Sequence, residues 1–203
     1  MKKIVKSTLI LAAITLTAAL CLAVVNAVTK DKIAEAVEKE RTDSFYAVMP
    51  KAKEFKDMGV RVNEWNERRT GGADIVSAFE VYDGQGAFKG VVVSVVSHNG
   101  YGGDITLSLG VDGCGVITGM KVTSMSETSG LGAECQNEEW QAQFTGKDAD
   151  TLVYTKKGAE KSDEIDALTG ATITTKAVLE AVNEAHAFGL EHTHQEVGGN
   201  NAE

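Results

Sequence analysis

Ile75-Val76-Ser77-Ala78-Phe79-Glu80-Val81-Tyr82 opens the run of sequence that decides the fold. Valine, isoleucine and aromatic residues, which suit a pleated and half-buried surface, dominate it. Three stretches of similar character follow at residues 87–96, 104–111 and 116–123. Between them lie Asp83-Gly84-Gln85-Gly86, His98-Asn99-Gly100-Tyr101-Gly102-Gly103 and Asp112-Gly113-Cys114-Gly115. Such glycine-rich connections reverse a chain within a few residues, so the region reads as a meander of at least four antiparallel strands. Within it Ile105-Thr106-Leu107-Ser108-Leu109 alternates apolar and polar side chains, which gives the sheet one buried face and one more polar face. The chain has 21 glycines against one proline, Pro50, which agrees with a body built on tight turns.

Downstream of the meander a short helix is predicted over 134–144, with Trp140 and Phe144 four residues apart on one face. Residues 153–154 suit a further short strand. A longer amphipathic helix is predicted over 173–186, with Ile173, Ala177, Val178, Ala181, Val182 and Ala185 on one stripe. Residues 191–203 contain Gly, Asn and His and read as a frayed tail. His192 and His194, with His186 nearby, suit solvated side chains better than a metal site, and no metal is expected. Trp65 and Trp140 read as packing residues, and Asp104 and Asp112 as residues that face water or begin turns. Upstream, Ile33, Val37 and, after a break, Phe45 and Val48 suggest an amphipathic helix within 29–55. Residues 56–72 are polar and are expected to be irregular. The fold class is therefore α+β, an antiparallel sheet with packed helices.

The N-terminus sets the compartment. Lys2, Lys3 and Lys6 precede an uncharged run over 7–28, after which Lys30, Asp31 and Lys32 restore charge. As a helix this run rises about 33 Å, enough to cross a hydrocarbon core of roughly 30 Å. The lysines place the N-terminus in the cytoplasm and the body outside, as a single-pass protein of the cell membrane. Val25-Asn26-Ala27 also resembles a signal-peptide cleavage site, but the apolar run is longer than a usual signal core and favours an uncleaved anchor. Leu20 is too bulky to precede an acylated Cys21. Either reading exports the body.

The net charge of −9 argues against nucleic acid as a partner, because phosphate backbones need clustered Lys and Arg. Cys114 and Cys135 show no metal or dithiol spacing, and whether they pair is left open by the sequence. No Gly-x-Gly-x-x-Gly turn follows a strand, so the chain is not expected to bind NAD itself.

Chemistry concentrates at Thr169-Gly170-Ala171-Thr172, at the start of the long helix. A helix N-terminus presents unpaired amide groups, and its dipole favours an anion. Gly170 and Ala171 let a bulky phosphate approach the backbone, and Thr172 offers a hydroxyl there, with Asp166 six residues upstream. Spacing alone favours a threonine that merely caps the helix. The pattern Asp-x-x-Thr-Gly-Ala-Thr at 166–172, however, resembles the flavinylation motif of the FMN-binding domain family. Gly100-Tyr101-Gly102-Gly103-Asp104-Ile105 resembles that family's Gly-Tyr-x-Gly-x-Ile motif. Ser126–Gly132 resembles its Glu-Thr-Pro-Gly-Leu-Gly loop, with Ser129 in place of the proline. The resemblance covers about 73–187, and the layout of anchor and following helix is similar to the G subunits of Rnf ion-translocating electron-transport complexes.

That resemblance implies FMN held covalently as a phosphoester on Thr172, with Thr169, Gly170 and Ala171 beside it and Glu127, Thr128, Leu131 and Gly132 close to the cofactor. It implies a separate flavin transferase, using FAD and magnesium, as a partner during maturation. Tethering makes physical sense outside the cytoplasm, where it holds the flavin at an effective concentration on the order of mM. It further implies an electron-transfer subunit, without a complete active site of its own, among other membrane subunits of a ferredoxin:NAD+ oxidoreductase coupled to Na+ or H+ transport. Alternatives are the C subunit of a Na+-translocating NADH:quinone reductase, a stand-alone extracytoplasmic flavinylated carrier, and an exported binding module in which Thr172 is only a cap. The expected organisation is a cytoplasmic N-terminus at 1–6, a transmembrane helix at 7–28 and a helical stalk and connector at 29–72. An FMN-binding domain at 73–190 and a flexible tail at 191–203 complete it.

Overall fold

The computed structural model describes the backbone of residues 2–69 and 71–199, and the side chains of 4–69 and 71–193. The chain divides into two compact units, Met1–Glu40 and Arg41–Glu203. The first is the N-terminal part of helix α1, which runs over Lys2–Val48. Leu9, Leu16, Leu20, Leu22 and Val28 are all exposed on it, and the stretch Ile4–Val48 contains a helix long and apolar enough to cross a membrane. The hydroxyls of Thr8, Thr17 and Thr29 each donate to the carbonyl four residues back, and that of Thr15 to the carbonyl three back. These threonine hydroxyls are thereby satisfied within the helix itself. The gap in the apolar pattern between Val37 and Phe45 lies within the helix. Ile33 and Val37 are exposed, so of that stripe only Phe45 and Val48 reach a core.

The second unit is built on a five-stranded antiparallel sheet in the order β1-β2-β3-β4-β5. The strands are β1 Glu54–Asp57, β2 Ala73–Tyr82, β3 Phe88–Ser97, β4 Ile105–Asp112 and β5 Ile117–Ser124. Four of them are the meander legible in the sequence. β1 is short and mostly charged, so no apolar pattern announces it; it forms by pairing with β2. Residues 56–72, expected to be irregular, instead contain β1's end and helix α2, Gly59–Arg68. Met58, Val62 and Trp65 recur at helical spacing and are all buried, a 3.6-residue period that marks the helix once it is sought.

Each face of the sheet is covered differently. On one side the last turns of α1 place Phe45 and Val48 against Val81 and Val92. On the other lies helix α4, Thr172–Gly199, packed on β3 and β4. Val178, Val182, Ala185 and Phe188 are fully enclosed there in one core with Val91, Val93, Leu107 and Leu109. Each such valine or leucine contributes about 1.5–3 kcal/mol on leaving water. Ile173, predicted on the buried stripe, is 52% exposed, and Thr174 and Thr175 occupy that face instead. Beyond Glu191 the helix continues to Gly199, burying His192 and Thr193; the side chain of His194 and residues 200–203 lie outside the described residues. His186 and His192 are core side chains, not solvated ones: His186 Nε2 lies 2.7 Å from the Gly115 carbonyl, and His192 stacks on Phe188 with ring centroids 4.2 Å apart.

A small parallel pair, β6 Val153–Thr155 and β7 Glu164–Asp166, leads into α4. The helix predicted over 134–144 is a 3-10 turn, Gly132–Gln136, followed by α3, Glu138–Ala142. Asn137 separates the two because its side chain accepts the Glu139 amide as an N-cap. Trp140 and Phe144 meet edge to face at 5.3 Å, as their spacing implied. Trp65 and Trp140 are both buried packing residues. Cys114 is exposed, Cys135 is buried, and both are free thiols.

Candidate functional site

Sheet register brings the candidate segments together. Ser97 pairs with Ile105 and Thr106 with Ser124, so the β3–β4 hairpin and the segment after β5 leave the sheet at one end. The start of α4 packs against both.

The first helical hydrogen bond of α4 runs from the Thr175 amide to the Ala171 carbonyl at 3.0 Å. Ala171 is therefore the cap and Thr172 the first residue of the helix. Alanine has no oxygen to cap with, so the simple capping role open to Thr172 in the sequence is not what the chain adopts. Thr175 does the local work: its hydroxyl donates to the Ala171 carbonyl and accepts the Leu168 amide, each at 3.0 Å. Thr174 donates its hydroxyl to Glu127 at 2.7 Å. Thr172 alone of the three is partly exposed, and its hydroxyl has no hydrogen-bond partner among the described residues. Nor do the amides of Thr172, Ile173 and Thr174 find a protein acceptor among them. The turn before them needs Gly170, whose φ of 75° lies in the left-handed region. The result, among the described residues, is an unpartnered hydroxyl on a partly exposed residue, beside unpaired N–H donors at a positive helix end.

Glu127 ties this turn to both glycine loops. It is buried, and its Oε1 accepts the Gly102 amide at 3.0 Å while its Oε2 accepts the Thr174 hydroxyl. Gly132 lies against the same group: a Cβ there would stand 2.5 Å from Glu127 Oε2 and 2.6 Å from Thr174 Oγ1. One carboxylate thus joins three segments read separately in the sequence. Its charge, after burial itself, helps push the Cys135 thiol up to about 11. Leu131 is 45% exposed and leans over Gly170, with its Cδ2 3.1 Å from where a Cβ would be. Thr128 exposes its side chain, while its carbonyl accepts the amides of Leu131 and Ala133 and so shapes the loop. Thr169 is exposed and Ala171 is buried.

Leu131 and Thr169 border an open groove of about 840 Å³, within the size range of cofactor clefts. Trp140 lines it and donates its indole N–H to the Asp166 carbonyl at 2.8 Å. Asp166 Oδ1 in turn accepts the Ala159 amide at 2.6 Å, which orders the groove's far wall. Sequence reasoning does not find Trp140 and Lys147 as lining this groove, since they lie more than twenty residues before Thr169 and Thr172, or carry no local motif. Asp104 does not simply face water: its Oδ1 lies 3.0 Å from His98 Nδ1. Asp112 begins a turn as expected, accepting the amides of Cys114 and Val116.

These residues fit a phosphate-bearing group, for open amides and an unpartnered hydroxyl are what a phosphoester at a helix N-terminus requires. Comparison with known proteins gives the family. The FMN-binding domain family matches residues 100–187, and the RnfG N-terminal region matches residues 1–48. The G subunit of the Na+-translocating ferredoxin:NAD+ oxidoreductase complex of Acetobacterium woodii is 37% identical, over 90% of this chain and 89% of its own length. The G subunit of the ion-translocating oxidoreductase complex of Aliivibrio fischeri is 29% identical, over 94% and 91%. Among solved structures, the C subunit of the Na+-translocating NADH-quinone reductase from Parabacteroides distasonis shares the fold, with a TM-score of 0.52 over 70% of this chain and 78% of that one at 20% identity. With relatives of that identity spanning nearly its whole length, the chain belongs to the family of G subunits of Rnf-type ion-translocating oxidoreductase complexes.

Proposed function

We propose that this chain is the membrane-anchored electron-transfer subunit of an Rnf-type ferredoxin:NAD+ oxidoreductase complex, carrying FMN as a phosphoester on Thr172. The observation that carries the covalent assignment is the state of Thr172: its hydroxyl is unpartnered and partly exposed beside three unpaired amides, whereas Thr174 and Thr175 are buried and fully engaged. Bound flavin supplies one- and two-electron chemistry, and the protein supplies position and electrostatics. Thr172 fixes the phosphate end, the first amides of α4 neutralise its charge, and Leu131 and Thr169 border the space beside it. A dipole-favoured anion gains only about 0.3–1 kcal/mol, too little to keep a dissociable flavin from dilution. A covalent bond installed by a separate flavin transferase is the effective solution.

The lysines before the apolar run support an anchor with its N-terminus in the cytoplasm and the FMN-binding unit outside. The relatives' place as the G subunits of multi-subunit complexes supports other membrane subunits as electron donors and acceptors. The reading as the C subunit of a NADH:quinone reductase has a shared fold in its favour and nothing more.

Coexpression with a flavin transferase, followed by denaturing gel separation, tests the assignment. The expected result is a fluorescent band whose mass exceeds the polypeptide by one FMN less one water, localised to the peptide containing Thr172. Covalent flavin persisting in a Thr172→Val chain would refute the site, with Thr169, Thr174 and Thr175 as the neighbouring candidates.

A further inference from the structure

Resting on the assignment of flavin to Thr172, we infer that Glu127 is a positioning residue for flavin attachment, a latch that sets the attitude of the first turn of α4 without itself being offered to the cofactor. Both carboxylate oxygens are occupied, one by the Gly102 amide and one by the Thr174 hydroxyl, and the side chain is buried. Each oxygen keeps a second lone pair, but burial between two protein segments turns the group inward. What it does is mechanical. Thr174 is two residues after Thr172 in the same turn, so holding Thr174 fixes where the Thr172 hydroxyl stands. Gly102 belongs to the β3–β4 hairpin, and Glu127 itself to the segment that continues into Leu131 and Gly132. The same contact therefore sets the distance between the attachment point and the two glycine loops.

The surroundings are built around this contact. Side chains at Gly100 and Gly132 would each intrude on Glu127, standing 2.8 Å from Oε1 and 2.5 Å from Oε2 respectively. The latch also explains the division of labour among neighbouring threonines. Thr174 is held by Glu127 and Thr175 by Leu168, which leaves Thr172 available for reaction.

The latch is tested in the full membrane-anchored chain coexpressed with the transferase, measuring covalent flavin per polypeptide over time and thermal unfolding alongside. Removing an arm of the latch in a chain that is still folded should slow loading roughly tenfold or more, as displacement of a reacting group by about 1 Å does. Glu127→Ala removes both arms, and Thr174→Val removes only the helix arm while keeping the shape, so the second variant decides the matter if the first does not fold. Glu127→Gln can still accept from Gly102 and can donate to the Thr174 oxygen, and Thr174→Ser keeps the hydroxyl; both should load at close to the wild-type rate. A residue with a merely structural role would lower flavin loading only in step with melting temperature and would show no such rescue. Wild-type loading in folded Thr174→Val, or loss in Thr174→Ser equal to that in Thr174→Val, overturns the latch while leaving the Thr172 assignment intact. A wild-type chain that takes up no flavin overturns that assignment and the latch with it.

Discussion

The middle of α4 and its first turn are parts of one helix held in place by opposite means. From Ala177 to Phe188 the helix is fixed by apolar burial, and Val178, Val182, Ala185 and Phe188 have no exposed surface. From Thr172 to Thr175 it is fixed by hydrogen bonds to Glu127 and Leu168, and it leaves Ile173 in solvent and the Thr172 hydroxyl unpartnered. Burial is non-directional and tolerates small shifts, whereas hydrogen bonds set position closely and can leave one chosen group unsatisfied. The helix therefore has a stable body and a precise end whose hydrogen-bonding groups are not all satisfied among the described residues.

Substitutions along the helix should separate these two means. Phe188→Ala strikes the buried part, where the ring packs edge to face on Trp65 at 5.4 Å. It should cost about 3–5 kcal/mol in denaturant unfolding. Thr175→Val leaves the buried Leu168 amide without its acceptor and should cost about 1–3 kcal/mol, measured the same way. Thr172→Val touches only an unpartnered hydroxyl, so stability should change by no more than about 0.5 kcal/mol while covalent flavin disappears. If Thr172→Val destabilises as much as Thr175→Val, the two threonines are equivalent and the contrast between them fails. Gly132→Val should load little flavin, because its side chain would push apart Glu127 and Thr174. Normal flavin in a folded Gly132→Val chain would show that this contact can move without consequence.

The weakest expected effect lies at the base of the hairpin that supplies Gly102. His98 stands between Asp104, at 3.0 Å from Nδ1, and Asp74, at 3.3 Å from Nε2. The Asp104 hydrogen bond is the main cause that holds its pKa above 6.5; slight burial opposes it and Asp74 adds to it. A pKa raised on folding stabilises the folded chain fully below the unfolded value of 6.5, and that contribution is lost as pH rises through the folded value. Because His98 is half-exposed, the effect is small. A series of melting temperatures should fall slightly more on going from acid to alkaline pH for the wild type than for His98→Asn. Parallel curves would show that the ring does not steady the hairpin.

How much is legible varies with the kind of information each part carries. The strands of the meander, the body of α4 and the anchor write themselves in local periodicity and composition. So does the start of α4 at Thr172, because a helix start is a local event. Helix α2 escapes the sequence reading although Met58, Val62 and Trp65 carry its period, since the polar residues between them obscure it. β1 has no pattern to find: its charged residues form a strand only because β2 is there to pair with. Ile173 falls on the predicted buried stripe because periodicity is blind to hydrogen bonding, which turns Thr174 and Thr175 inward in its stead.

By itself, then, the sequence determined four strands of the sheet, the body of the helix that backs them and the apolar N-terminal run. Only the tertiary structure decided which threonine hydroxyl is left without a partner among the described residues. That choice depends on Glu127 reaching Gly102 across 25 residues and Thr174 across 47. Contacts so distant along the chain follow from strand register and from the angle at which α4 meets the sheet. No window of residues encodes either of these, because each is a compromise among all the side chains packed between the elements.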